Sequence, residues 1–177
     1  MGSTDGRGDS RIFQPREDLD LFAAETCALL RRAEVQLALA EAGTGGEVAD
    51  LLSSTSGGRA VVSSSHIYGA AEELAGGLRV SPAKVDTFGA ISALVAAEAA
   101  AELIDTYEGG WGLVVMAPAG NFPAEPSVAG EGAGERHGFV ALGTPSTTII
   151  QQCPPNQIVR TTFELLREQA LRRLART

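Results

Sequence analysis

Apolar and polar positions along the chain alternate between two periods. From Leu19 to Arg32 the apolar residues Leu19, Phe22, Ala23, Leu29 and Leu30 recur at helical spacing. Glu34 to Ala40 alternates and then runs apolar, as a strand does. A glycine-rich turn, Gly43-Thr44-Gly45-Gly46, follows. Val48, Leu51 and Leu52 then predict a short helix, and Ala60 to Ser63 a second strand. Ala70 to Ala75 predicts a short helix stopped by Gly76-Gly77. The clearest helix is Ser92 to Tyr107, alanine-rich, opened by a Ser92 N-cap and closed before Gly109-Gly110.

Leu113 to Met116 reads as a buried strand. Ala117 to Arg136, rich in Gly, Pro, Ala and Glu, reads as a long loop of the kind that carries function or moves. Gly138 to Leu142 and Thr147 to Gln152 read as two strands of a hairpin. Asn156 to Arg176 is an amphipathic helix with Ile158, Phe163, Leu166, Ala170 and Leu174 on one side. Strands alternate with helices early and pair late. That order predicts an α/β fold: a three-layer α/β/α sandwich with a mixed, mostly parallel sheet.

Composition narrows the picture. The 177 residues suit one domain, and 44% hydrophobic residues can fill a core built mainly of Ala, Val, Leu and Ile, since aromatics are 5%. The polar, glycine-rich stretch 1–16 reads as a tail ahead of a domain spanning 17–177. Its Arg7-Gly8-Asp9 is read as chance. A net charge of -8 repels phosphate backbones and anionic membranes, so neither nucleic acid nor membrane is an expected partner. No apolar run reaches the ~20 residues of a membrane span, and the N-terminus lacks the apolar core of a signal peptide. Cys27 and Cys153 have no metal-ligand spacing and read as buried thiols of a cytoplasmic chain.

The segment from Leu37 to Gly46 joins a strand, a glycine turn and a helix start. Free amides at such a start attract an anion, and glycines let the backbone approach it. Thr44 offers a hydroxyl, and Glu41 either orients a ligand or braces the turn. Neither the Walker A pattern nor the dinucleotide spacing is present. A tight connection that needs glycine for steric reasons is an equally simple reading.

Leu39-Ala40-Glu41-Ala42-Gly43-Thr44-Gly45-Gly46 resembles the "ATAES-C-TGG" signature of the CinA C-terminal domain family. Further segments follow in family order. Val61-Val62-Ser63 resembles the strand leading into "SYSNEAK". Phe88-Gly89-Ala90-Ile91-Ser92 resembles "HGAVS", and Val114 to Asn121 falls at "AVTGIAGP". Gly138 to Ala141 resembles "VGTVYIA", and Val159-Arg160 falls at "IR". The resemblance spans roughly residues 20–175. It implies an α/β sandwich, often a homo-oligomer, and an amidase that releases ammonia from nicotinamide mononucleotide with a serine nucleophile. It implies no metal and no cofactor.

The departures fall on the chemistry. The nucleophile's position holds Ala42, and a methyl cannot attack a carbonyl. The activating tyrosine and lysine of "SYSNEAK" align with Ser64 and Gly69, and the threonine of "VTG" with Met116. What remains is the glycine turn Gly43, Thr44, Gly45, Gly46 with Glu41, and Ala119-Gly120 in the second loop. These are the expected binding residues for a small nucleotide-like ligand, together with His137. His66 and Ser64, on one face if the strand continues, form a candidate acid–base pair. Glu98 and Glu102 share a helix face, and Glu131, Glu135 and Arg136 lie in the long loop. Three readings follow: a binding module that has lost the serine amidase mechanism, an enzyme of altered chemistry on a related amide or nucleotide, and a structural homo-oligomer (dimer or larger) without ligand.

Overall fold

The computed structural model describes residues 16–107, 110–118 and 137–176. The first helix, α1 (Arg16–Arg32), buries Ala23, Thr26, Cys27 and Leu30 on one stripe. Its end is closed by Glu34 at φ 52°, with Val35 N–H donating to Leu30 O and Glu34 N–H to Arg31 O. This is a left-handed cap, formed here without glycine. It takes up Glu34 and Val35, so the strand expected from Glu34 begins later, as β1 (Leu37–Ala42).

Next come α2 (Glu47–Ser54), α3 (Gly58–Val61) and β2 (Val62–Tyr68). The expected strand at Ala60 to Ser63 is thus displaced. Ala60 and Val61 close a helical turn, and the strand runs on to Tyr68. β2 lies at a sheet edge, with alternate residues Ser63, Ser65 and Ile67 exposed, so it needs no continuous apolar run. Helices α4 (Ala71–Gly77), α5 (Pro82–Phe88) and α6 (Ala93–Thr106) follow. Sequence periodicity missed α5 because none of its residues is buried. It starts at Pro82, and Lys84 pairs with Glu98 of α6. Ser92 caps α6, accepting from Val95 N–H at 3.4 Å.

Strand β3 (Trp111–Met116), the hairpin of β4 (Gly138–Thr144) and β5 (Thr147–Cys153), and helix α7 (Ile158–Leu174) complete the chain. The sheet order is β2-β1-β3-β4-β5. Strands β2, β1 and β3 are parallel; β4 and β5 pair antiparallel. One core packs α1, α2, α3 and α7 on one face, around Leu37, Leu39, Leu113 and Phe163. The other packs α4, α5 and α6 on the opposite face, over Ala38, Ala40 and Ala42. The three layers of the expected sandwich are present. On the second face α6 approaches the sheet closely. A Cβ on Gly112 would lie 2.4 Å from Ala100 O, so the alanine-rich helix needs glycine beneath it.

Candidate functional site

Strand β1 is where the chain changes direction across the sheet. It connects through α2 and α3 to β2 on one side. The chain then returns through α4, α5 and α6 to β3 on the other. In open α/β sheets the crevice beyond the strand ends at such a switch point is the usual ligand site. The glycine turn leaves β1 at that point.

Glu41 faces the α1–α2 layer and is fully buried. Its carboxylate accepts from Thr44 Oγ1 at 2.7 Å, Val48 N–H at 3.1 Å and Ala49 N–H at 2.7 Å. Of the two roles open to Glu41, the geometry gives it the bracing one. It occupies two amides of the α2 start that were expected to face a ligand, and it takes the proton that Thr44 was expected to offer. Burial pushes the Glu41 carboxyl above its ordinary value, against the pull of these three hydrogen bonds.

Gly43, Gly45 and Gly46 are all left-handed, at φ 76°, 67° and 84°, while Thr44 keeps an ordinary φ. Gly43 is also a steric necessity, because a Cβ there would lie 2.1 Å from Ala117 O. Ala117 N–H donates to Ala42 O at 2.9 Å, tying the exits of β1 and β3 together. Gly45 differs. It is exposed, and a Cβ on it would meet nothing within 4 Å. Among the described residues, the N–H groups of Thr44, Gly45 and Gly46 find no acceptor. With Thr44 at an ordinary φ between left-handed Gly43 and Gly45, this part of the turn resembles the mixed-handed backbone of anion-binding nests.

Ala42 projects the other way, into the α4–α6 core, with 0% of its surface exposed. It stands in the last rung of the parallel strands, between Tyr68 and Met116, and Met116 in turn pairs with Phe139. At the position to which the resemblance assigns the nucleophile, Ala42 offers no hydroxyl, thiol or amine, and the paired residue Met116 is a buried thioether. Because β2 runs to its end at Tyr68, the side chain level with Ala42 is Tyr68. Sequence reading missed it. The resemblance aligns the activating tyrosine with Ser64, but Ser64 and His66 pair with Ala38 and Ala40, further back on the same face. Burial, and Tyr107 beside it, raise the Tyr68 phenol above its ordinary value. The sequence carried little signal for Tyr68, which falls between the expected strand Ala60 to Ser63 and the expected helix Ala70 to Ala75.

His66 packs against Tyr107, ring centroids 5.0 Å apart. His137 directly precedes β4, and β4 and β2 are three strand spacings apart, about 14 Å. The two histidines do not form one acid–base unit. Ala119, Gly120, Glu131, Glu135 and Arg136 lie outside the described residues. Glu98 accepts from Ser81 N–H at 3.0 Å and pairs with Lys84, and Glu102 lies 3.7 Å from Arg79, so both brace α6. Trp111 is 5% exposed at the far end of β3, in the other core, and has a packing role. The thiols of Cys27 and Cys153 are both buried. Among the described residues no three His, Cys, Asp or Glu side chains converge as metal ligands, and no helix is long and apolar enough to cross a membrane.

Comparison with known proteins gives the same frame. The profile of the CinA C-terminal domain matches residues 20–175. Several solved structures superpose over nearly the whole chain. A CinA superfamily protein from Klebsiella pneumoniae 700603 does so with a TM-score of 0.71 at 18% identity, over 90% of this chain and 99% of that one. One from Enterobacter cloacae gives 0.69 at 17%, over 98% and 99%. The competence/damage inducible protein CihA from Agrobacterium tumefaciens gives 0.66 at 19%, over 99% and 98%. At these identities the likeness is one of fold. No curated protein sequence matches the chain.

Proposed function

The chain belongs to the CinA C-terminal domain family, and from that membership we propose that it binds a phosphorylated, nicotinamide-mononucleotide-like ligand without hydrolysing it by a serine route. The observation that carries the reading is the split at the end of β1. The backbone of the glycine turn keeps three amides without acceptors among the described residues. The nucleophile's position, one residue earlier, is a buried methyl. Loss of one member of a nucleophile–base unit already removes most of its catalysis. Here the residue beside it, Met116, is apolar as well.

Glu41 limits where an anion sits. Its carboxylate already holds the Val48 and Ala49 amides, and a second negative charge against it is unfavourable. The phosphate therefore lies on the open side of the turn, over Gly45, away from Glu41. Titration calorimetry with nicotinamide mononucleotide and with its acid tests the reading. Both ligands are expected to give saturable heat, and the amide ligand no ammonia. Absence of heat with both overturns the binding claim. Ammonia release that saturates with ligand overturns the claim of lost hydrolysis.

A further inference from the structure

The two edges of the sheet are finished differently. The β2 edge is bulged: Leu37 pairs with Val62 and Ala38 with Ser64, so Ser63 is skipped. The β5 edge is regular, in register with β4 from Thr147 to Cys153 without a shift. Among the described residues, no backbone group of Thr148 to Gln152 meets a partner on the side away from β4. Such an open row of N–H and C=O groups is a template for another strand.

Proteins block an edge of this kind with charge, proline, a bulge or a covering element. β5 has no proline before Pro154. From Gly138 to Val159 the chain carries no Asp, Glu, Lys or Arg, the longest such run in the sequence. Helix α6 comes near without covering the strand. Its Ile104 reaches Gly143 of β4, but Thr148, Ile150 and Gln152, on the same face, stay exposed, Ile150 at 38%. Glu98 and Glu102 turn the other way, to Ser81, Lys84 and Arg79, so the α6 flank beside β5 presents Ala97 and Ile104.

A second copy of this chain fits the edge by charge. Two chains of net charge -8 repel, and they meet most readily where neither presents a charge. In a two-fold antiparallel pair, a charge near the axis would face its own copy. β5 has none. Full overlap of its seven residues sets Ile150 opposite Ile150 and Thr148 opposite Gln152. The chain's two longer segments outside the described residues, 1–15 and 119–136, are rich in Gly and carry Pro, Asp and Glu, which are depleted in strands.

We propose that two copies of this chain join edge to edge through β5, antiparallel about an axis at Ile150, so that their five-stranded sheets become one continuous sheet. The pairing uses up the regular edge, so the assembly closes at two copies. It stands apart from the glycine turn and does not depend on the reading given for it. One strand pair with its flanking side chains is small beside the ~800 Å² per partner of a standard interface, and a Kd of roughly 1–100 μM is expected.

Sedimentation velocity of the full chain from about 1 to 500 μM tests the proposal, with amide hydrogen exchange on the same samples. The mass is expected to move from 18.3 kDa toward twice that value, and β5 amides to gain protection only as it does. Two double variants at the exposed positions test the register. Thr148→Lys with Gln152→Lys sets like charges opposite each other and should raise Kd about tenfold or more, whereas Thr148→Glu with Gln152→Lys sets unlike charges opposite and should leave Kd within about threefold. If either double variant fails to fold, Ile150→Lys, whose charge meets its own copy at the axis, is expected to raise Kd about tenfold; an unchanged Kd there overturns the proposal. So does a mass of 18.3 kDa at every concentration, β5 protection that is independent of concentration (the mark of the chain's own segment on the edge), or an equal Kd for the two double variants.

Discussion

Glu41 and Ala42 are sequence neighbours that point to opposite faces of the sheet, and they divide structure from chemistry. Glu41 is a bracing residue. Replacing it with Ala leaves the Val48 and Ala49 amides and the Thr44 hydroxyl without their acceptor, and is expected to cost about 2–4 kcal/mol in denaturant unfolding. Its titration has a definite sign. The folded-state pKa is raised, so the native state holds a proton that the unfolded chain has released. The Glu41 contribution is therefore most favourable below the ordinary value of 4.5 and weakens as pH rises from there through the raised value. Stability relative to Glu41→Gln should fall over that window; a flat difference would remove the raised pKa. The glycines separate in the same way. Gly43→Ala meets Ala117 O and should cost about 2–4 kcal/mol, whereas Gly45→Ala carries only the left-handed penalty of about 1 kcal/mol. Ala42→Ser restores a hydroxyl beside Tyr68 and Met116 and is expected to release no ammonia; brisk release would mean that the rest of the amidase is intact.

Sequence patterns located most elements, including the half-exposed edge strand β5, and failed at β2 and α5. β1 and β3, with every residue buried, were legible from their apolar runs. So was α6, from its alanines and Ser92 cap. The edge strand β2 was cut short at Ser63, because a serine run at a half-covered edge carries little hydrophobic signal. The alignment run on from Val61-Val62-Ser63 put the activating tyrosine at Ser64, and the short strand left Tyr68 unnoticed. Helix α5 was invisible because it has no fully buried residue and is tied to α6 through Glu98, which holds Ser81 N–H and Lys84. The Glu34 cap explains the late start of β1. Close packing of α6 on glycine was not legible either, since nothing in the pattern says which helix lies over Gly112. Gly112→Val should unfold the domain, as its side chain would overlap Ala100 O; a folded variant with normal stability would contradict that contact.

Across the whole molecule, the order of motifs was more informative than any one of them. It placed the candidate site where the parallel strands of a mixed sheet end, and the topology puts the switch point of the sheet there. What the sequence left open, whether Glu41 serves a ligand or the fold, needed coordinates, because only geometry shows which amides its carboxylate already holds. The chain carries a net charge of -8. That field disfavours phosphates in general, so the binding proposed at the turn would depend on short-range amide contacts. The most direct test is a crystal of this protein soaked with nicotinamide mononucleotide. The account predicts phosphate density on the amides of Thr44, Gly45 and Gly46, with the carboxamide uncleaved. Density elsewhere with an empty turn, or a cleaved product at the turn, would contradict it.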